Sequence, residues 1–181
     1  MIKWVLTGVL DRFSRKWGYD TSYAKDILDA DLRAFWIFAR VQGLGSYRLG
    51  VPREAWHVAK IVTALNEDCG PCTQLTVDMA LADGVKPEVL RAVLADDVAA
   101  MPADVALAFR FAAAVRERRP EADELREAVV ASWGQRGLVS LAFAITVAKI
   151  YPSVKYALGH GQACRRVTVA GEAQAVQRRA A

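Results

Sequence analysis

Two cysteines, Cys69 and Cys72, stand three residues apart within E-D-C-G-P-C-T-Q-L-T, residues 67–76. Paired thiols do chemistry that a single thiol cannot: one attacks as the thiolate, and the other closes a disulfide that releases the product. A helix that begins here favours the thiolate, because its first amides lack intrahelical acceptors and its dipole attracts an anion. The pattern predicts such a start, with Asp68 as N-cap and Cys69, Gly70 and Pro71 in the first turn. His57, Glu54, Glu67 and Thr76 are further titratable or polar side chains on the stretches that flank the pair. Zinc needs further ligands. Only His57, His160 and Cys164 could add to the pair, and none has motif spacing, so neither a metal nor another cofactor is expected.

The elements that must position these residues read as helices throughout. Residues 2–17 place Trp4, Leu6, Val9, Leu10, Phe13 and Trp17 on an apolar side with basic residues opposite. Such a helix packs on the domain or a neighbouring subunit, or makes peripheral contact with a membrane surface. A short helix over 19–30 follows, and Asp31 is placed to cap another over 32–41, rich in Phe35, Trp36 and Phe38. Glycines at 43, 45 and 50 predict a loop over 42–51. Pro52 opens a helix to about Asn66 with Trp56, Ile61, Val62 and Leu65 inward, and Trp36 and Trp56 are both expected in the core. After the cysteines a helix runs through Asp83, Gly84 is its left-handed stop, and Pro87 and Pro102 open the next two. Residues 122–133 and 138–158 form further helices around Gly134 and Gly137, with a kink or division expected at Pro152. No useful stretch alternates as a strand does, so the fold class is all-α.

Composition narrows the function classes. The 181 residues suit one domain. Residues 1–160 read as that domain and 161–181 as a loosely ordered basic tail. The net charge of +4 resides at the ends, +2 over 1–20 and +3 over 161–181, which leaves the body at −1. A nucleic-acid partner requires a contiguous basic face, which the body lacks. The longest apolar runs are broken by residues such as Ser140 and Thr146 and fall short of a spanning helix. The N-terminus lacks a small-residue cleavage site after its apolar run, so a cytoplasmic placement is expected. A faint internal echo, V-T-A-L-N-E-D-C-G-P-C-T against V-A-S-W-G-Q-R-G-L-V, suggests two helix–turn–helix halves.

C-G-P-C is also the thioredoxin motif, but there it follows a β-strand, and here R-E-A-W-H-V-A-K-I-V-T-A-L-N before it has helical periodicity. The stretch 52–95, with C-G-P-C between two helices and M-A-L-A-D-G-V before K-P-E-V-L, resembles the carboxymuconolactone decarboxylase superfamily in its AhpD-like alkylhydroperoxidase branch. The resemblance implies an all-helical homo-oligomer, as a dimer, trimer or hexamer. It implies a peroxidase in which Cys72 attacks a peroxide and Cys69 resolves it, reset by a dithiol reductant protein. The branch's relay glutamate falls on His57, and its two histidines fall on Pro71 and Thr76, so its proton relay is not kept. His57 is then the replacement to be examined, with Glu54 or Glu67 behind it.

Two readings follow. In the first the chain is a thiol-dependent oxidoreductase, a peroxidase or disulfide reductase acting on a small peroxide or a disulfide. In the second it is a non-enzymatic helical module binding an apolar ligand or a partner, with the cysteines as a redox switch or structural feature. Lactone decarboxylation, the other activity of the superfamily, needs an acid–base pair that the sequence does not clearly provide.

Overall fold

Every residue from Ala55 to Leu65 except Lys60 is buried. The helix that carries them, α5 (Arg53–Asn66), is apolar on nearly all sides, which marks it as the central element. It packs against α6 (Gly70–Ala82), α8 (Ala103–Glu117) and α9 (Ala122–Ala157). Val58, Ile61, Phe109, Phe111, Leu141 and Ile145 lie in the shared core. Truncating a side chain as enclosed as Ile61 to alanine costs about 2–5 kcal/mol by the loss of transfer energy and the cavity left behind.

The computed structural model describes residues 2–161 and 166–175. Its remaining helices are α1 (Ile2–Trp17), α2 (Ser22–Ala30), α3 (Leu32–Ala39), α4 (Gln42–Ser46) and α7 (Pro87–Leu94). The fold is all-α apart from a small antiparallel hairpin, β1 (Arg166–Val169) and β2 (Glu172–Ala175). Several local signals act as expected. Asp31 caps α3 by accepting from the Ala34 amide at 2.8 Å, Gly84 stops the cysteine helix at φ 84°, and Pro87 opens α7. Gly134, at φ 67° and ψ −177°, divides α9 at the expected turn.

Other expectations need correction. Of the kink or division expected at Pro152, the division is absent: the helix continues to Ala157 without a break. Residues 42–46 form the short α4 within the expected loop, closed by turn hydrogen bonds such as Leu44 N to Val41 O at 3.0 Å. Trp36 is exposed, whereas Trp56 is buried and donates its indole N–H to the Tyr47 carbonyl at 3.0 Å.

Residues 166–175, read as part of a loose tail, form the hairpin. Val167 and Val169 alternate into the core, and Ala170 and Gly171 both adopt positive φ, as a two-residue hairpin turn requires. The Gln74 side chain on α6 seizes the strand through both backbone groups of Thr168, donating to its carbonyl at 3.0 Å and accepting from its amide at 2.7 Å. Arg91 on α7 pairs with Glu172 at 2.9 Å.

The apolar runs expected to fall short of a spanning helix are joined in α9, which by length and composition is able to cross a membrane, and 44 % of its most apolar window is buried inside the domain. Helix α1 contributes no fully buried residue. Leu10, Phe13 and Trp17 turn towards the domain, while Ile2, Val5, Val9 and Trp4, the last 80 % exposed, face outward.

Candidate functional site

The cysteine pair sits where α5 hands over to α6. Glu67 closes α5, Asp68 turns the chain at φ 52°, and Cys69 occupies the N-cap of α6. This corrects the expected cap by one residue. Asp68 is in the left-handed region, and the Cys69 carbonyl is the one that accepts the first helical bond, from the Thr73 amide at 2.9 Å. The Thr73 hydroxyl donates to the same carbonyl at 3.0 Å. Cys72 falls at the third helical position, within the turn whose amides lack intrahelical acceptors. The two sulfurs are joined as a disulfide, with their Cα atoms 5.2 Å apart.

The pair is sealed. Cys69 is 0 % exposed and Cys72 5 %. Their cover comes from both ends of the sequence: Leu10, Phe13 and Trp17 on α1, Tyr19, Tyr23 and Ile27 on and before α2, Phe38 on α3, and Tyr151 and Val154 on α9. The aromatic rings meet edge to face, Phe13 on Tyr19 at 6.1 Å, Tyr19 on Tyr23 at 6.4 Å and Phe38 on Tyr151 at 5.4 Å. Such pairs add about 0.5–1.5 kcal/mol each beyond the area they bury.

Two polar groups enter this apolar shell. The Tyr19 hydroxyl lies 3.7 Å from the Cys72 sulfur, and because a disulfide sulfur carries no proton, the hydroxyl is the donor. Lys155, only 1 % exposed, holds its ammonium 4.7 Å from the centre of the Tyr19 ring and 5.5 Å from that of Tyr23. Burial lowers the Lys155 pKa, and the nearby Asp20 carboxylate pulls it back up. Burial pushes the Tyr19 phenol up to about 12, with hydrogen bonding from Tyr23 offsetting part of it. Tyr19 is therefore a neutral hydrogen-bond donor at physiological pH.

Local features fix both groups. Gly18, at φ 59°, turns the chain after α1. Asp20 accepts from the Ser22 amide at 2.9 Å and from its hydroxyl at 2.6 Å, which holds the start of α2. At the other end, α9 finishes with Gly159 at φ 81° and the His160 amide bonded back to the Lys155 carbonyl at 2.8 Å, a Schellman-type stop. Tyr156 donates to the Asp68 carbonyl at 3.0 Å, tying α9 to the turn just before Cys69.

The residues expected to serve the cysteines lie elsewhere. His57 bonds to Asp83 at 3.0 Å, and Arg48 reaches the same carboxylate oxygen at 2.5 Å. Asp83 ends α6 eleven residues beyond Cys72, about 16 Å along the helix axis. Helices α5 and α6 run antiparallel, so the histidine at the start of α5 meets the end of α6 and not its cysteine-bearing beginning. Burial lowers the His57 pKa, with the hydrogen bond to Asp83 opposing it. Lys60, one turn on, donates to the Gly45 carbonyl at 2.5 Å and lies over the Trp56 ring. Burial brings its pKa down to about 7.

Glu54 pairs with Arg53 at 3.3 Å, at the same end of α5 as His57. Glu67 is next to the cysteine turn in sequence, and its charge acts on Arg116 of α8. Thr76 donates to the Thr73 carbonyl within its own helix at 2.8 Å. His160 binds Asp26 of α2 at 2.6 Å, and Cys164 lies outside the described residues. Among the described residues no three of His, Cys, Asp and Glu are grouped so as to hold a metal ion.

Tyr19 and Lys155 are the two residues that reasoning from the sequence missed. Lys155 had left a signal, as a lone charge between Val154 and Tyr156 in a largely apolar helix. Tyr19 had left none, since nothing local tells a tyrosine after a glycine which sulfur it will meet. Compared with protein-family models, with curated proteins and with solved structures, the chain finds no match.

Proposed function

We propose that the chain is a thiol-dependent oxidoreductase of the AhpD-like kind, whose Cys69–Cys72 pair cycles between dithiol and disulfide. One observation carries the reading: two cysteines bonded across a single turn at the start of α6, with a hydroxyl aimed at one sulfur. In the reduced state Cys72 is the attacking group. Its thiolate attacks the terminal oxygen of an organic hydroperoxide, the O–O bond breaks, Cys72 becomes a sulfenic acid, and the departing alkoxide takes a proton from solvent to leave as alcohol. Cys69 then condenses with it, releasing water and forming the disulfide. An external dithiol returns both sulfurs to thiols while it is itself oxidised to a disulfide.

The span of the bond also favours a redox role. Closing a loop of only four residues constrains the unfolded chain by about 2 kcal/mol, at the low end of what disulfides provide. The test is consumption of an organic hydroperoxide by fully reduced protein in the presence of a dithiol. Cys72→Ser is expected to abolish turnover, and Cys69→Ser to arrest it after one equivalent with a sulfenic acid at Cys72. Wild-type consumption by both variants would end the proposal.

A second reading has its own support in the burial of the pair. A sulfur covered on all sides by α1, α2 and α9 reacts only when that cover opens. In this reading the disulfide is a redox switch in a partner-binding helical module, set by the opening of the α1–α2 arm. Reduction that changes partner binding or oligomeric state, with no peroxide consumed, would favour it.

A further inference from the structure

The AhpD-type relay has no counterpart here, because Pro71 and Thr76 stand at its histidine positions and His57 is engaged with Asp83. We propose that Tyr19 and Lys155 take its place: the Tyr19 hydroxyl hydrogen-bonds the Cys72 thiolate, and the Lys155 ammonium behind the Tyr19 ring supplies the compensating charge. This rests on the thiol-redox reading of the pair.

The geometry supports a division of labour. Tyr19 touches the reacting sulfur at 3.7 Å and is a catalytic residue in that sense. Lys155 faces the Tyr19 and Tyr23 rings and acts through them, so it is a positioning residue. A buried ammonium against ring faces is poorly solvated, and an anion formed beside the hydroxyl of the same ring is favoured there. Among the described residues, the titratable groups on the elements packed around Cys72 and its neighbours can be named. The turn before α2 brings Tyr19 and Asp20, and α2 itself Tyr23. Helix α9 brings Tyr151, Lys155 and Tyr156, and the turn before α6 brings Asp68, whose carbonyl holds Tyr156. Asp20 acts on Lys155 and favours its charged form.

This placement also chooses which sulfur leaves. When an external dithiol attacks the disulfide, the sulfur whose thiolate is better stabilised departs faster. Attack at Cys69 forms a mixed disulfide there, and Cys72 leaves with the electron pair of the broken S–S bond as a thiolate stabilised by Tyr19. The second thiol of the reductant then attacks its own disulfide sulfur, closing a cyclic disulfide and expelling Cys69 as a thiolate. The two protons given up by the dithiol go to the two cysteines or remain in solvent according to their pKa values.

The experiment reads the Cys72 thiol itself and needs no substrate. In full-length Cys69→Ser protein, the ultraviolet thiolate band is followed against pH, and the Cys69→Ser/Cys72→Ser protein is subtracted to remove Cys164 and the tyrosines. Adding Tyr19→Phe, which deletes only the hydroxyl, is expected to raise the Cys72 pKa by about one unit, a tenfold loss of thiolate near neutrality. Lys155→Met is expected to raise it similarly, and Lys155→Arg, which keeps the charge, to restore it. If Tyr19→Phe and Lys155→Met both leave the titration unmoved in protein with unchanged circular dichroism, the proposal is overturned. If Tyr19→Phe moves it and Lys155→Arg behaves like Lys155→Met, the role of the Lys155 charge is overturned. A pair that shows these shifts while the wild type consumes no peroxide sinks the peroxidase reading and leaves this one standing.

Discussion

Tyr19 donates its hydroxyl to the sulfur of Cys72 across 53 positions of sequence. The contact joins the N-terminal arm to the start of α6, and the same aromatic cluster that makes it also closes the site to solvent. Access to the disulfide is thereby linked to how tightly the arm is held.

Phe13→Ala tests that link without touching the polar groups of the site. Phe13 packs edge-on against Tyr19 from α1 and is half-buried, so its loss weakens the cover by about 2 kcal/mol. The disulfide should be reduced at least about tenfold faster by a small phosphine, with intact α5–α8 packing, because local opening becomes easier. Reduction at the wild-type rate would show that the arm is not the barrier.

Removing the pair altogether should cost little stability. The Cys69→Ala/Cys72→Ala protein, which puts no hydroxyl into the apolar shell, is expected to lose about 2 kcal/mol against oxidised wild type, as a four-residue loop allows. Urea denaturation of both proteins measures it. A loss of twice that size would make the bond a structural staple and weaken the redox reading.

His57 gives the fold a distinct acid response. Burial lowers its pKa from the ordinary 6.5, so on acidification the unfolded chain binds the proton first. Stability therefore falls as pH drops from about 6.5 towards the lowered folded value. Asp83 works in the same direction at lower pH. The hydrogen bond from His57, and then Arg48, hold its pKa below 3.8, so its contribution is present above that value and is lost as pH falls through the depressed one. His57→Gln should flatten the loss of stability between neutrality and mild acid, measured by denaturation at a series of pH values. An unchanged pH profile would show that His57 is not buried in its neutral form.

Much of the fold was legible because local signals and tertiary packing agree here. The Asp31 cap, the Gly84 stop, Pro87 at a helix start and the Gly134 turn all act within a few residues of where they are written. The hairpin was not legible. Its only pattern is the pair Val167 and Val169, and its turn places Ala170 at φ 50°, where glycine or asparagine would announce it. The thiol pair could be read, since two cysteines a turn apart at a helix start need no partner to declare themselves. Its surroundings could not. His57 stands twelve residues before Cys69, but in an antiparallel helix pair this sequence neighbour lies at the opposite end of the hairpin. Tyr19 and Lys155, far apart in the chain, are brought to the sulfur by packing alone.

The bond from Tyr156 to the Asp68 carbonyl spans 88 positions. On a translating ribosome, Cys69 and Cys72 thus emerge long before the helix that closes over them. The nascent pair meets the thiols and oxidants of its surroundings without a cover, and the redox state it holds when α9 docks is the state that becomes enclosed.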